Sequence, residues 1–154
     1  MSRAFVKEPD GDTTVEDLMD RPISPHPNFV TSGGLAQIET AVADLEREHT
    51  AALASDDKTA IARTLRDLRY WTARRASAQV AAPRQDGQVH FGSTVTLVRD
   101  DGKRQTFRIV GEDEADPAHG TLSYIAPLAR ALMSKQVGDT VQAGNAEMEI
   151  VEIS

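Results

Sequence analysis

The sequence predicts an α+β fold in two parts: an antiparallel α-helical hairpin of coiled-coil type, then a small antiparallel sheet domain with one short helix. Three observations predict it. Apolar residues recur at helical spacing between about residues 31 and 82, and the period falls towards two after residue 87. Charge in the helical part also separates into an acidic first half and a basic second half.

The hairpin is read from its seam. Thr31 or Ser32 offers a hydroxyl to the free amides that open a helix. Leu35, Ile38, Val42, Leu45, His49 and Ala52 then alternate spacings of three and four, the rhythm of a helix packed along a partner. Ser55, Asp56 and Asp57 interrupt that rhythm with residues that cap a new helix, so they mark the tip. The second helix presents Ile61, Leu65 and Leu68 at matching spacing, followed by Tyr70, Trp71 and Ala76, while its later seam positions Thr72 and Arg75 are polar. Helix one carries Glu39, Asp44, Glu46 and Glu48 against Arg47. Helix two carries Arg63, Arg66, Arg69, Arg74 and Arg75 against Asp67. Antiparallel pairing sets the acidic helix beside the basic one, each exposed pair adding a few tenths of a kcal/mol. The seam therefore stabilises, and the charges select partner and register. The arginines read as solvated or interhelical, with contact to nucleic acid as the alternative.

In the second part, Thr94 to Val98 and Gln105 to Val110 read as strands joined through Asp100, Asp101 and Gly102. Thr121 to Ile125 is a further strand, and Pro127 opens a short helix through Leu128, Ala131, Leu132 and Met133. Gly138 and Asp139 turn the chain into Thr140 to Ala143. The last strand, Ala146 to Ile153, puts Met148 and Ile150 on one face and Glu147 and Glu149 on the other.

Ahead of both parts, residues 1–28 carry Asp10, Asp12, Glu16, Asp17 and Asp20 with Pro22, Pro25 and Pro27 and few large apolar residues. Such a stretch buries too little surface to offset its ordering entropy, so a mobile acidic tail is expected, with a turn of helix at Val15 to Met19. The expected organisation is tail 1–28, hairpin 29–82, linker 83–88 and sheet domain 89–154.

Composition narrows the chemistry. The 154 residues have a formal net charge of −7 and no cysteine, which removes thiolate nucleophiles, disulfides and cysteine zinc sites. A negative chain is repelled by phosphate, so binding to bare nucleic acid is disfavoured. No apolar run approaches the roughly 20 residues that cross a bilayer, and no signal peptide opens the chain, so a cytoplasmic protein is expected without membrane contact. His26, His49, His90 and His119 are too scattered to pair at metal-ligand spacing, and neither a phosphate loop nor a serine triad is legible. Glu112, Asp113, Glu114 and Asp116 lack the alternating pattern of a calcium loop and read as an acidic turn facing solvent or a basic partner. No resident metal or cofactor is expected.

The second part also resembles a known family. Ile109-Val110-Gly111-Glu112-Asp113-Glu114-Ala115-Asp116 is similar to the acidic loop signature of Gre-type transcription elongation factors. The likeness continues through Gly120, Ala126-Pro127-Leu128-Ala129-Arg130-Ala131-Leu132, Lys135, Val137-Gly138-Asp139 and Glu149-Ile150-Val151-Glu152-Ile153, with Phe91-Gly92-Ser93-Thr94-Val95 at its start. The resemblance implies an FKBP-like domain that docks on RNA polymerase at the rim of the secondary channel, on a coiled coil of the largest subunit. It implies docking through Ser123, Tyr124, Ile125, Ala126, Pro127 and Leu128, although the family's usual serine before the proline is Ala126 here. Nucleic acid is then met only within the elongation complex.

In the cleavage factors of this family, acidic residues at the hairpin tip help hold magnesium at the polymerase active site. Here the family's Asp-Leu-Ser-Glu-Asn-like tip is absent, and helix one spans only about 30 Å at 1.5 Å per residue. The chain looks nearer to a short-hairpin branch that includes the regulator of nucleoside diphosphate kinase. Asp56 and Asp57 are the acidic pair at the tip, open to two roles: capping the second helix, or sharing the polymerase's magnesium. The leading expectation is a non-enzymatic regulator of elongation. The alternatives are a transcript cleavage factor, an FKBP-like prolyl isomerase whose aromatic lining would rest on Phe91, Phe107 and Tyr124, and a nucleic-acid binder using the basic helix.

Overall fold

The helical period is realised as α1 (Ser32–Ala54) and α2 (Lys58–Ser77), separated by a three-residue turn. The computed structural model describes residues 18–154. Asp10, Asp12, Glu16, Asp17 and most of the expected turn of helix at Val15 to Met19 lie outside the described residues. The described residues divide into two units: a hairpin unit of residues 18–26 and 38–76, and a sheet unit of residues 27–37 and 77–154.

Within the hairpin unit, Ile38, Val42, Leu45 and Ala52 of α1 are buried, as their spacing predicts. Across the seam, His49 Nδ1 lies 2.8 Å from Thr64 Oγ1, and Arg63 Nη2 donates to Glu48 Oε2 at 3.3 Å. The three-residue turn makes the two helices antiparallel, and these contacts join the acidic helix to the basic one. The phase of α2 differs from expectation. Its buried residues are Ala62, Thr64 and Arg74, whereas Leu65 is 40% exposed. Ile61 and Leu68 are half-buried, but at the level of Leu65 it is Thr64 that meets His49, and its hydroxyl also reaches the Ala60 carbonyl at 2.8 Å, so a polar pair occupies the seam.

The proximal part of the expected tail is a second difference. Asp20 Oδ1 accepts from Arg69 Nε at 2.7 Å, and Arg21 stacks on Tyr70, so residues 20 and 21 are placed against α2. Arginines on α2 supply the binding that apolar content does not.

The sheet unit holds β1 (Phe29–Val30), β2 (Gln79–Val80), β3 (Thr94–Arg99), β4 (Arg104–Val110), β5 (Thr121–Ser123), α3 (Pro127–Leu132), β6 (Thr140–Ala143) and β7 (Ala146–Ile153). The five-stranded sheet has the order β5-β4-β3-β7-β6. Neighbours are antiparallel except β4 and β5, which pair in parallel from Arg108↔Thr121 to Val110↔Ser123. The sheet is therefore mixed. Residues 111–120 contain two 3₁₀ turns, Glu112–Glu114 and Pro117–His119, and carry the chain back across the sheet end instead of reversing it in a tight hairpin.

Val89, Val95, Leu97, Ile109, Leu122, Ala129, Leu132, Val141, Met148 and Ile150 form the core of this unit. It is aliphatic, as an aromatic content of 5% requires. β1 and β2 make a separate parallel bridge, Phe29↔Gln79 and Val30↔Val80, and Val30 is buried. The expected organisation put these two strands in the hairpin, but they belong to the sheet unit together with the first turn of α1. In the linker, Asp86 accepts from Gln88 N at 3.1 Å and lies 2.7 Å from His90 Nε2. Those two hydrogen bonds hold the Asp86 carboxyl below the usual carboxylate range.

Candidate functional site

The hairpin tip is built by a helix stop and a helix start. Asp56 sits in the left-handed region at φ 51°; Asp56 N donates to Leu53 O, and Asp57 N reaches back to Ala52 O at 3.1 Å. This is the Schellman arrangement, with aspartate where glycine is usual. Asp57 then opens α2: its Oδ1 accepts from Ala60 N at 3.1 Å. Both tip carboxylates are exposed, and Asp57 is in addition engaged as a cap. Asp57→Ala should lower stability by about 1 kcal/mol, the usual worth of an aspartate cap. Asp56→Gly should raise it by roughly 0.5–1 kcal/mol, because glycine adopts positive φ without a Cβ penalty. Shifts of the urea midpoint in opposite directions, at unchanged m-value, check both.

The expected docking segment runs from the end of β5 into α3. Tyr124 N donates to Val110 O and Ala126 N to Ser123 O, both at 2.9 Å. Pro127 occupies the first turn of α3, and Ala126 caps it without a side-chain bond, the place where a serine hydroxyl would serve. Tyr124, Ala126 and Leu128 pack against the aliphatic core, whereas Pro127 is exposed and Ser123 and Ile125 are half-buried. The outward part of the segment is thus centred on Ile125 and Pro127.

Tyr124 has a second task that sequence reading missed. Its ring meets Phe29 edge-on at 5.6 Å and Phe91 at 5.8 Å, Phe29 and Phe91 are 6.1 Å apart, and its hydroxyl donates to the Pro27 carbonyl. Phe107 packs on the core, as Phe91 and Tyr124 also do. The aromatic residues that a prolyl-isomerase lining would need are occupied with one another and with the core.

The four acidic residues of residues 112–116 do not act as one group. Glu114 turns inward and joins the N-terminus of α1 to the sheet. Its Oε2 accepts from Thr31 N and from Gly111 N, each at 3.0 Å, and Oε1 accepts the Thr31 hydroxyl proton. Thr31 Oγ1 in turn accepts from Gly34 N at 3.0 Å. A capping box normally takes its glutamate from the third helical residue. Here that residue is Gly34, and the carboxylate comes from position 114. A Cβ at Gly34 would land on the Glu114 carboxyl carbon, and one at Gly111 would land on the Phe29 carbonyl oxygen, so both positions need glycine for close approach. Asp116 lies on the outer side, where its Oδ2 is 2.6 Å from His119 Nδ1. Glu112 and Asp113 are half-buried and are not without partners.

Among the described residues, no group of three or more His, Cys, Asp or Glu could hold a metal ion, and no helix is long and apolar enough to cross a membrane. The tip pair is too small a donor set for magnesium on its own.

Comparison with known proteins gives this geometry a family. The family described as "Transcription elongation factor, GreA/GreB, C-term" matches residues 84–154. The transcription elongation factor GreA of Pseudomonas putida is 36% identical over 115 residues, covering 71% of this chain and 72% of that protein. The chain belongs to the GreA/GreB family. The match to the Pseudomonas GreA is longer than residues 84–154 and so takes in part of the chain ahead of them. The transcription elongation factor GreB of Neisseria meningitidis serogroup B is 43% identical over 95 residues, 57% of this chain. There the chain spans 58% of the relative's length, a little over half. Among solved structures, the GreA factor homolog 1 (Gfh1) of Thermus thermophilus is 16% identical, covers 84% of this chain and 99% of its own, and has a TM-score of 0.42.

Proposed function

We propose that this protein is a cytoplasmic regulator of transcript elongation that binds bacterial RNA polymerase at the secondary channel and performs no chemistry of its own. The observation that carries the reading is the GreA/GreB match over residues 84–154, joined to a helical hairpin in the same chain. The sheet unit docks on the largest-subunit coiled coil through Ile125 and Pro127, and the hairpin is directed into the channel. α1 has 23 residues and α2 has 20, or about 35 and 30 Å of helix. The tip carries two exposed carboxylates, one of which also caps α2, and lacks the longer Asp-Leu-Ser-Glu-Asn-like motif, which favours occupying or modulating the channel over driving RNA cleavage. A resident cofactor has no place in this reading.

A second reading has one observation in its favour. Asp56 keeps a positive φ that glycine would adopt at lower cost, and strain of this kind collects at functional positions. In that reading Asp56, with Asp57, adds an oxygen to a magnesium ion already held by the polymerase. The two separate in one experiment. With purified core polymerase, binding at micromolar concentration is expected, with transcript shortening in backtracked complexes unchanged by the chain. Acceleration that is lost in Asp56→Ala/Asp57→Ala would establish the cleavage reading, and absence of binding would remove both.

A further inference from the structure

Arg21 occupies a seat built by α2 that the docking reading does not use. Its guanidinium carbon lies 3.9 Å from the Tyr70 ring centroid and 5.7 Å from that of Trp71, and the two rings meet edge to face at 5.1 Å. Its Nη1 is 3.8 Å from Asp67 Oδ1, an oxygen that also accepts from Arg66 Nε at 3.1 Å. One residue earlier, Asp20 accepts from Arg69. Two ring faces and a carboxylate select a flat cation that stacks and hydrogen-bonds at once, which is arginine rather than lysine.

The fastening is mostly polar. The side chains of Asp20 and Arg69 are 70% and 56% exposed, so their pair is screened by salt. Of the large apolar residues of this stretch, Met19 at 86% and Ile23 at 48% exposure are turned outward and Leu18 is only half-buried, so little apolar burial anchors it. Pro22 and Pro25 fix φ at two positions and reduce the freedom lost on closing. Weak contacts set against a small entropic cost make a closure near balance.

We propose that residues 18–26 form a releasable strap on the hairpin, in which Arg21 covers Tyr70 and Trp71 when the strap is closed and uncovers them when it opens. The strap decides whether this flank of α2 is a sealed polar surface or an exposed aromatic pair beside Arg69. It regulates what the hairpin offers to a partner, and it is a property of the chain alone, independent of polymerase binding.

Trp71 is the one tryptophan in the chain, so its fluorescence reads the strap directly. Acrylamide quenching of the full chain should rise about twofold between roughly 0.02 and 0.5 M NaCl as the ion pairs are screened, with helical circular dichroism unchanged. Arg21→Ala should show the high-salt quenching at low salt. Asp20→Arg with Arg69→Asp should restore the salt-dependent protection that either change alone removes. Arg21→Lys keeps the charge but not the flat stack, so it should fall between wild type and Arg21→Ala, and it serves as the readout if the alanine variant loses helix. Quenching in the wild type that ignores salt, or an Arg21→Ala variant that matches wild type at low salt, would overturn the proposal.

Discussion

Glu114→Ala should lower stability by roughly 2–4 kcal/mol, more than a half-exposed glutamate ordinarily contributes. The carboxylate accepts from Thr31 N, Thr31 Oγ1 and Gly111 N, and hydrogen bonds to a charged group are worth about 1.5–3 kcal/mol each before partial solvation is counted. Its loss leaves two backbone amides and a hydroxyl to find water in a half-buried place. The Tm should fall by about 5–12 °C on the usual scaling for a chain of this size. Gly34 supplies the sharper test. In an exposed helix, Gly→Ala stabilises by about 1 kcal/mol. Here the new methyl would displace the Glu114 carboxylate, so Gly34→Ala should destabilise by about 2 kcal/mol in the wild type. With Glu114→Ala already in place the clash is gone, and Gly34→Ala should become neutral or stabilising. The reversal of sign in a double-mutant cycle, read from urea midpoints, is the expected result. Additive effects would mean that the glutamate and the helix start are not coupled as described.

That cap also shows where sequence reading stopped. The α1 seam was legible because Ile38, Val42, Leu45 and Ala52 obey a local period, and all four are buried. The strands β3 to β7 were legible for the same reason, as were Pro127 at the start of α3 and Asp57 at the start of α2, whereas the two-residue β1 and β2 were not. Glu114 was not, because its Thr31 partners lie 83 residues away and nothing local separates an inward carboxylate from its neighbours in an acidic run. The one hint was Gly34 at the place where a capping box wants glutamate. On α2, Leu65 departed from expectation on a related ground, while Ile61 and Leu68 are half-buried. Leu65 looked like the seam residue by hydrophobicity, but a histidine on α1 selected Thr64. The parallel β4–β5 pair was hidden in residues 111–120, where two short 3₁₀ turns leave no periodic signal. For the candidate site, the tip was located correctly from Ser55, Asp56 and Asp57. The division of labour between the two aspartates was not visible, because it depends on a backbone angle that aspartate and glycine can both supply.

Arg74→Ala should cost about 3–5 kcal/mol, while the same change at Arg75 should stay within about 0.5 kcal/mol. The two arginines are neighbours in the basic turn that ends α2, and the sequence spacing put Thr72 and Arg75 at the seam, whereas the structure buries Arg74 and leaves both of those exposed. Arg74 is 2% exposed and Arg75 is exposed. A guanidinium almost never loses its water without gaining a partner, and Arg74 is not without one. Removing the arginine removes a large packed stem and leaves whatever it satisfied buried and uncompensated, which is the costly half of any buried polar pair. Arg74→Met separates those contributions. It restores most of the volume but not the five donors, so the loss that persists in the methionine variant belongs to pairing and the part recovered belongs to packing. Arg74→Lys keeps the charge on a narrower, more strongly hydrated head and should recover part of the stability but not all of it. Equal midpoints for Arg74→Ala and Arg75→Ala in urea would show instead that the buried guanidinium is neutral to the fold. In that case the hairpin would owe its stability to the apolar α1 seam and the His49–Thr64 pair alone.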